Sequence, residues 1–409
     1  MLYNLGIKIY MLIISIGALF SPKAKQFIAG RKNWVKLLTE KTENNATYLW
    51  VHCSSLGEFE QGRPLIEAIK KQFPQYKIVL TFFSPSGYEV RKNYALTDIV
   101  CYLPIDTKQN AKKFISIIRP EKAFFIKYEY WYHYINELKK NSVPLYLVSG
   151  IFRKKQQFFK NTAWGRWYRK LLPLFSQLFI QDDNSARLLQ SIGVNNFTVS
   201  GDTRFDRVAE IVKSSKKVAL VEKFKGRSLV MVAGSTWKPD EELLLPFINS
   251  QPSIKFIIAP HEVTTANINR LQQLLKTRAV LYSKANENNI GACQVLIIDS
   301  VGLLSSLYRY GNIAYIGGGF GVGIHNTLEA ATYGLPIIFG PNYLRFKEAV
   351  DLVKEGGAFP VANSNDLLST LDSLLSEKIL LQKSGEISRS YVNKHVGATK
   401  IILGKVFNN

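Results

Sequence analysis

From residue 48 onward, short apolar runs alternate with longer stretches in which apolar positions recur at helical spacing. The runs 48–51, 77–81, 99–103, 122–126, 145–148 and 178–181 predict strands, and stretches such as 61–72 and 111–118 predict the helices between them. Strands that are apolar on both faces and separated by helices predict a parallel sheet covered on both sides. A second series follows at 229–233, 255–259, 294–298, 313–316 and 336–339, so two similar α/β halves are expected. Their seam is expected near 200–218, where GDTRFDR leads into a polar helix and the lysine-rich 213–217. Two such halves facing a cleft would place the carboxyl ends of both sheets opposite each other, where open α/β sheets bind ligands.

A different pattern precedes these halves. Residues 1–20 are apolar apart from Asn4 and Lys8, and Lys23, Lys25, Arg31, Lys32 and Lys36 follow. This predicts a membrane anchor over 1–22 whose basic flank stays on the cytoplasmic side. Spanning needs roughly 20 apolar residues, with Lys8 snorkelling. An in-plane interfacial helix and a helix buried in the protein's own core are the alternatives. The small-residue cleavage pattern is poor and the charge falls after the apolar region, which argues against a cleaved signal peptide.

Composition narrows the class. With 409 residues, 46% hydrophobic and 21% charged, the chain can bury a large core and is not disordered. Cys53, Cys101 and Cys293 are far apart, which argues against a disulfide framework or structural zinc. The five histidines match no ligand spacing, so no metal is expected. A formal charge of +22 suits an anionic partner. The basic residues are scattered, without zinc-finger or RNP-like patterns, which argues against nucleic acid. An apolar helix joined to a basic flank favours a membrane surface.

Candidate chemistry concentrates at the predicted strand ends. Residues 313–342, IAYIGGGFGVGIHNTLEAATYGLPIIFGPN, read as strand, glycine-rich turn, short helix and second strand. Asn326 or Thr327 is the expected cap, 328–333 the helix, and Gly334 with Pro336 its stop. Free amides at that helix start would favour an anion, with Glu329 placed to accept from ribose hydroxyls. A simple turn needs one glycine, whereas Gly317, Gly318, Gly319, Gly321 and Gly323 occur here, which favours a ligand loop. Neither GxGxxG nor GxxxxGK[ST] is present. In the first half, residues 50–61, WVHCSSLGEFEQ, repeat the design, with Ser54, Ser55 and Gly57 in the turn and Glu58 opening the helix. The helix dipole should keep Glu58 ionised and ready to accept a proton, although an acid in the first turn also needs no chemistry to be favoured there. Ser84, Pro85, Ser86 and Gly87 follow another strand, as do Lys127, Glu129 and Trp131. Ser235 and Thr236 precede Lys238, Asp240 and Glu241, and His261 with Glu262 closes the next strand.

These blocks have the order and spacing of a family. HCSSLGE at 52–58, TFFSPSG at 81–87, EYW at 129–131 and GDTRFD at 201–206 are joined by a run from Asp299 through Gly318, His325, Asn326, Glu329, Gly334 and Pro336 to Gly340, Pro341 and Glu348. Over nearly its whole length the chain resembles the lipopolysaccharide Kdo transferases, which move 3-deoxy-D-manno-octulosonic acid from CMP-Kdo onto a lipid A precursor. The resemblance implies a GT-B architecture of two Rossmann-like domains, here an anchor at 1–22, an acceptor domain at 23–205 and a nucleotide-sugar domain at 206–409. It implies inverting transfer to lipid IVA without metal or cofactor, at the cytoplasmic face of the inner membrane. Glu58 would be the general base. Donor contacts would come from Ser235, Thr236, His261, Gly318, Gly319, His325, Asn326 and Glu329. Acceptor or sugar contacts would come from Ser55, Gly57, Ser86, Lys127, Glu129 and Arg204. Two departures stand out: APHE at 259–262 lacks the arginine usual beside the histidine, and Lys127 and Tyr132 replace an acid and a proline around EYW. Another GT-B transferase, an epimerase and a non-catalytic membrane-bound nucleotide-binding protein are the competing readings.

Overall fold

The computed structural model describes residues 2–215 and 217–408. Met1, where the expected anchor begins, Lys216 of the lysine-rich seam, and Asn409 lie outside the described residues. The chain forms two units, Met1–Arg207 with Val396–Asn409, and Val208–His395.

The first unit is built on a sheet of seven parallel strands: β1 (Tyr48–Cys53), β2 (Lys77–Phe82), β3 (Ile99–Tyr102), β4 (Pro120–Ile126), β5 (Leu145–Gly150), β6 (Gln177–Ile180) and β7 (Phe197–Val199). Their order is β3-β2-β1-β4-β5-β6-β7. Every β1 residue is buried, as its apolar run requires of a central strand. One sheet face packs Trp50, Phe114, Phe125 and Tyr134, and the other packs Phe59, Phe82 and Phe124. The chain runs outward from β1 to β3 and then restarts on the other side of β1 with β4. The carboxyl ends of β1 and β4 therefore flank the point where such sheets open a crevice.

The second unit repeats the plan with β8 (Leu229–Thr236), β9 (Ile254–Pro260), β10 (Ala279–Leu281), β11 (Val295–Ile297), β12 (Ile313–Ile316), β13 (Ile337–Phe339) and β14 (Ala358–Pro360). The order is β10-β11-β9-β8-β12-β13-β14, all parallel, so its reversal lies between β8 and β12.

The last segment departs from the expected 206–409 domain. The helix Ala398–Phe407 buries Ile402, Leu403 and Val406 against the first sheet, and Phe407 stacks on Phe73 at 4.4 Å. Its N-cap is Gly397, which has no side chain to offer. Asp206 caps it instead, accepting from the Gly397 amide at 2.6 Å, the Thr399 amide at 2.7 Å and the Thr399 hydroxyl at 2.6 Å.

Three helices, α1 (Leu2–Gly17), α2 (Pro22–Ala29) and α3 (Trp34–Lys41), precede the first strand. Among the described residues no helix is long and apolar enough to cross a membrane. The 16 residues of α1 extend about 24 Å, short of a hydrocarbon core of roughly 30 Å. Nor is α1 buried in the core. Tyr3 donates to Asp106 at 2.5 Å, Asn4 pairs with His133 at 2.6 Å, and the Tyr10 ring lies 6.1 Å from that of Phe83. Leu12, Ile13 and Ile16 are more than half exposed, as are Leu19 and Phe20 beyond it.

Candidate active site

In the first unit, the turn after β1 leads into α4 (Leu56–Gln72). Ser55 is the N-cap and Glu58 the third helical residue, and the two form a reciprocal capping box. Ser55 Oγ accepts from the Glu58 amide at 3.4 Å, while Glu58 Oε2 accepts from the Ser54 amide at 2.5 Å and the Ser55 amide at 3.2 Å. Neighbouring Gly57 is exposed, and a Cβ there would meet only Ser55 Oγ at 4.0 Å. Packing therefore does not require a glycine at this helix start, and its open backbone suits close approach of a ligand.

The expectation that Glu58 is ionised at neutral pH requires correction. Burial, followed by the negative charge of Glu129, pushes its carboxyl up to about 8, against the opposing amides of Ser54 and Ser55 and the cation of Lys127. A helix N-terminus alone would lower it; desolvation and a second acid win.

The second acid stands at the end of β4. Lys127 has a left-handed backbone, φ 68°, which turns the chain sharply out of the strand. Glu129 is buried, with Oε2 3.0 Å from His52 Nε2 and accepting from Trp131 Nε1 at 2.5 Å. Tyr128 lies in the fields of Arg153, Glu58, Arg204 and Asp202. Arg204 is held by Asp202, its Nε donating to Oδ2 at 2.8 Å. Ser86 is exposed and its Oγ lies 2.8 Å from that of Ser84, at the start of α5 (Pro85–Arg91). The first unit thus brings Glu58, Lys127, Glu129 and Arg204 into one electrostatic neighbourhood. Tyr128 and Arg153 join it without having stood out in the sequence, because neither belongs to a recognisable spacing.

In the second unit, β8 and β12 deliver the loops. Asp240, buried in the first turn of the helix Lys238–Ser250, ties them together. Its Oδ2 accepts from the Gly318 and Trp237 amides, both at 2.9 Å, and its Oδ1 from the Tyr315 hydroxyl at 2.9 Å. Thr236 is buried and its hydroxyl donates to Glu241 at 2.9 Å, while Ser235 carries a positive φ of 53°.

The glycine-rich loop has more internal reasons for its glycines than the sequence reading allowed. A Cβ on Gly317 would lie 2.2 Å from Ser235 O, and one on Gly319 2.5 Å from Gly340 N. Gly318 and Gly323 adopt φ of 91° and 129°. Only Gly321 has room and an ordinary φ, so the number of glycines does not by itself mark a ligand loop. The helix after it is also shorter than expected, Leu328–Ala331, which leaves little dipole for an anion. Asn326 Oδ1 accepts from the Leu328 amide at 3.1 Å, and Asn326 Nδ2 donates to Glu329 Oε1 at 3.1 Å.

Three rings form the wall beside this loop. His261 lies between Trp237, at 4.4 Å, and His325, at 4.5 Å, with all three planes close to parallel. Trp237 Nε1 donates to His325 Nε2 at 3.0 Å, which leaves Nδ1 as the protonated nitrogen. Burial, then the charge of His261, lowers His325 to about 4, so it is neutral at physiological pH. A cavity of about 200 Å³ is lined by Trp237, Asp240, Gly318, Phe320, Gly321 and Val322. Trp237 was not singled out in the sequence, where only its place one residue after Ser235 and Thr236 pointed to the site. Among the described residues, no group of three or more His, Cys, Asp or Glu side chains is arranged to hold a metal ion.

Both constellations lie at the sheet positions where topology opens a crevice. Residues 29–207 match the family described as 3-deoxy-D-manno-octulosonic-acid transferase (kdotransferase). A 3-deoxy-D-manno-octulosonic acid transferase of Aquifex aeolicus is 28% identical over 366 residues, covering 87% of this chain and 94% of that one. One from Rickettsia prowazekii is 28% identical over 339 residues, covering 80% and 72%. The fold is shared with a UDP-GlcNAc 2-epimerase from Neisseria meningitidis, at a TM-score of 0.63 and 16% identity over 89% of this chain and all of that one. Two parallel-sheet α/β units resembling GT-B glycosyltransferases in fold, together with these relatives, make the chain a glycosyltransferase that is similar over most of its length to the 3-deoxy-D-manno-octulosonic acid transferases.

Proposed function

We propose that this protein transfers Kdo from CMP-Kdo to a lipid A precursor, lipid IVA, with inversion at the anomeric carbon, in lipopolysaccharide synthesis. The match of residues 29–207 to the Kdo transferase family carries this reading, since that segment contains Glu58 and its neighbours. Glu58 Oε1, which has no hydrogen bond among the described residues, takes the proton of the acceptor hydroxyl. The acceptor oxygen then bonds to the anomeric carbon as its bond to the CMP phosphate breaks, and CMP leaves with the electron pair. Lys127 and Arg204 are the cations assigned to the Kdo carboxylate, and Ser55, Gly57 and Ser86 complete the acceptor side, with Glu129 buried behind them rather than in contact with the acceptor. On the donor side, His325 supplies a neutral N–H donor, and Ser235, Thr236, His261, Gly318, Gly319, Asn326 and Glu329 complete the CMP site. No metal is assigned a role.

The exposed apolar face of α1, followed by Lys23, Lys25 and Lys32, supports attachment in the plane of the cytoplasmic face of the inner membrane rather than across it. The test is a lipid-mass assay with purified protein, lipid IVA and either CMP-Kdo or UDP-GlcNAc. A gain of one or more Kdo units from CMP-Kdo alone supports the proposal; no gain, or sugar transfer from UDP-GlcNAc, refutes it.

A further inference from the structure

Five polar side chains cross the buried carboxyl end of the first sheet in one hydrogen-bonded line. Trp50 Nε1 donates to Thr81 Oγ1 at 2.8 Å, and Thr81 Oγ1 lies 2.8 Å from His52 Nδ1. His52 Nε2 lies 3.0 Å from Glu129 Oε2, to which Trp131 Nε1 donates at 2.5 Å. His52 and Thr81 are fully buried and Glu129 is 5% exposed. Polar groups this deep are costly unless every one is paired, and an apolar core would hold these strands with less risk.

Hydrogen-bond bookkeeping gives the line one sense with a neutral histidine. The Trp131 indole lies 3.0 Å from His52 Nε2 and 2.5 Å from Glu129 Oε2, and its single proton goes to the nearer acceptor; a carboxylate accepts only, so His52 then carries its own proton on Nε2. Nδ1 then accepts, and the Thr81 hydroxyl, already receiving the Trp50 N–H, spends its single proton there. Trp131 supplies the second donor to Glu129 and is walled by Phe83, whose ring centre lies 4.5 Å away. Arg31 fixes Phe83 by donating to its carbonyl at 2.6 Å and by lying over its ring.

We propose that this line is a positioning device, in which His52 and Trp131 hold Glu129 as a fixed negative charge beside Glu58, with Lys127 as the countercharge. Glu129 is then a positioning residue that strengthens Glu58 as a base without touching the substrate. This rests on the assignment of Glu58 as base given above. In support, Glu129 follows burial as the largest influence raising Glu58, opposed by the Ser54 and Ser55 amides and by the Lys127 cation. Tyr128, which lies in the fields of Glu58, Arg153, Arg204 and Asp202, and buried Cys53, which lies in those of Glu58, Glu129 and Glu60, are further titratable neighbours.

The test is the pH–rate profile of wild type, Glu129→Gln and Trp131→Phe, with the pH dependence of thermal stability measured on the same proteins. The activity limb of the wild type, near pH 8, is expected to move down by about one unit or more in Glu129→Gln, with a lower plateau rate because the base is weaker. Trp131→Phe, which removes one donor, should move it in the same direction and by less. If Glu129→Gln does not fold, Trp131→Phe alone decides. An unmoved limb in a folded variant overturns the proposal, since a merely structural role would lower stability without shifting it.

A second readout separates this inference from the assigned reaction. Comparing Glu58→Gln with Glu58 in wild-type and Glu129→Gln backgrounds, the pH range over which Glu58 affects melting should move down when Glu129 is neutralised. That shift is expected even if no Kdo is transferred. Its absence overturns the coupling, whatever the substrate.

Discussion

The Ser54 amide donates to Glu58 Oε2 at 2.5 Å, so one oxygen of the acid is committed to closing the helix while the other stays available. A residue that serves only as a cap gains nothing from burial beside another carboxylate. Glu58 has such a neighbour in Glu129, and this supports reading it as a base.

Its titration predicts the pH dependence of the reaction. A base raised to about 8 is active when deprotonated, so kcat/KM should climb as pH rises toward about 8 and then level. A profile flat from pH 6 to pH 9 would argue against Glu58 as the titrating base.

Stability should change in the opposite direction. The folded-state carboxyl is raised above its ordinary 4.5, so its contribution to stability is present at low pH and is lost as pH rises through about 8. Glu58→Gln removes that loss, and thermal melts at pH 8.5 should show the variant melting above wild type relative to their difference at pH 5.

Much of this was legible in the sequence, and what was missed has physical causes. The long apolar strands that form the sheet centres were visible because both faces are buried. β7, β10 and β14 were not, because each has three residues, is partly exposed and lies at a sheet edge. The return of the Ala398–Phe407 helix to the first unit depends on a long-range cap by Asp206, which no local pattern reveals. Candidate acids and loops could be placed at strand ends. Strand order, which puts them at the two crevices, could not. The glycine count misled because most of those residues answer to backbone packing and φ inside the loop.

Asp206→Ala should therefore weaken the first unit rather than the chemistry. Losing a cap costs about 1–2 kcal/mol, and more here because the Thr399 hydroxyl also loses its partner. Urea melts of the variant should show a lower midpoint, with Asp206→Asn intermediate.

Two glycine substitutions separate packing from ligand approach. Gly319→Ala drives a Cβ to 2.5 Å from Gly340 N and should lower both the melting temperature and CMP affinity. Gly321→Ala meets no close atom and should leave melting unchanged, so any loss of CMP binding measured by calorimetry would place the ligand against that residue.

Removing apolar side chains from α1 should release the protein from lipid. Leu12→Ser with Ile13→Ser and Ile16→Ser alters exposed positions, so melting should be unchanged while flotation with anionic vesicles falls at least tenfold. Undiminished flotation would locate membrane contact elsewhere.

The most direct test compares wild type with Glu58→Gln, following the mass of lipid IVA after incubation with CMP-Kdo while CMP affinity is measured in parallel. Wild type is expected to add Kdo, the variant to add it about 100-fold or more slowly, and both to bind CMP with equal affinity. Undiminished transfer by Glu58→Gln would contradict the assignment of the base.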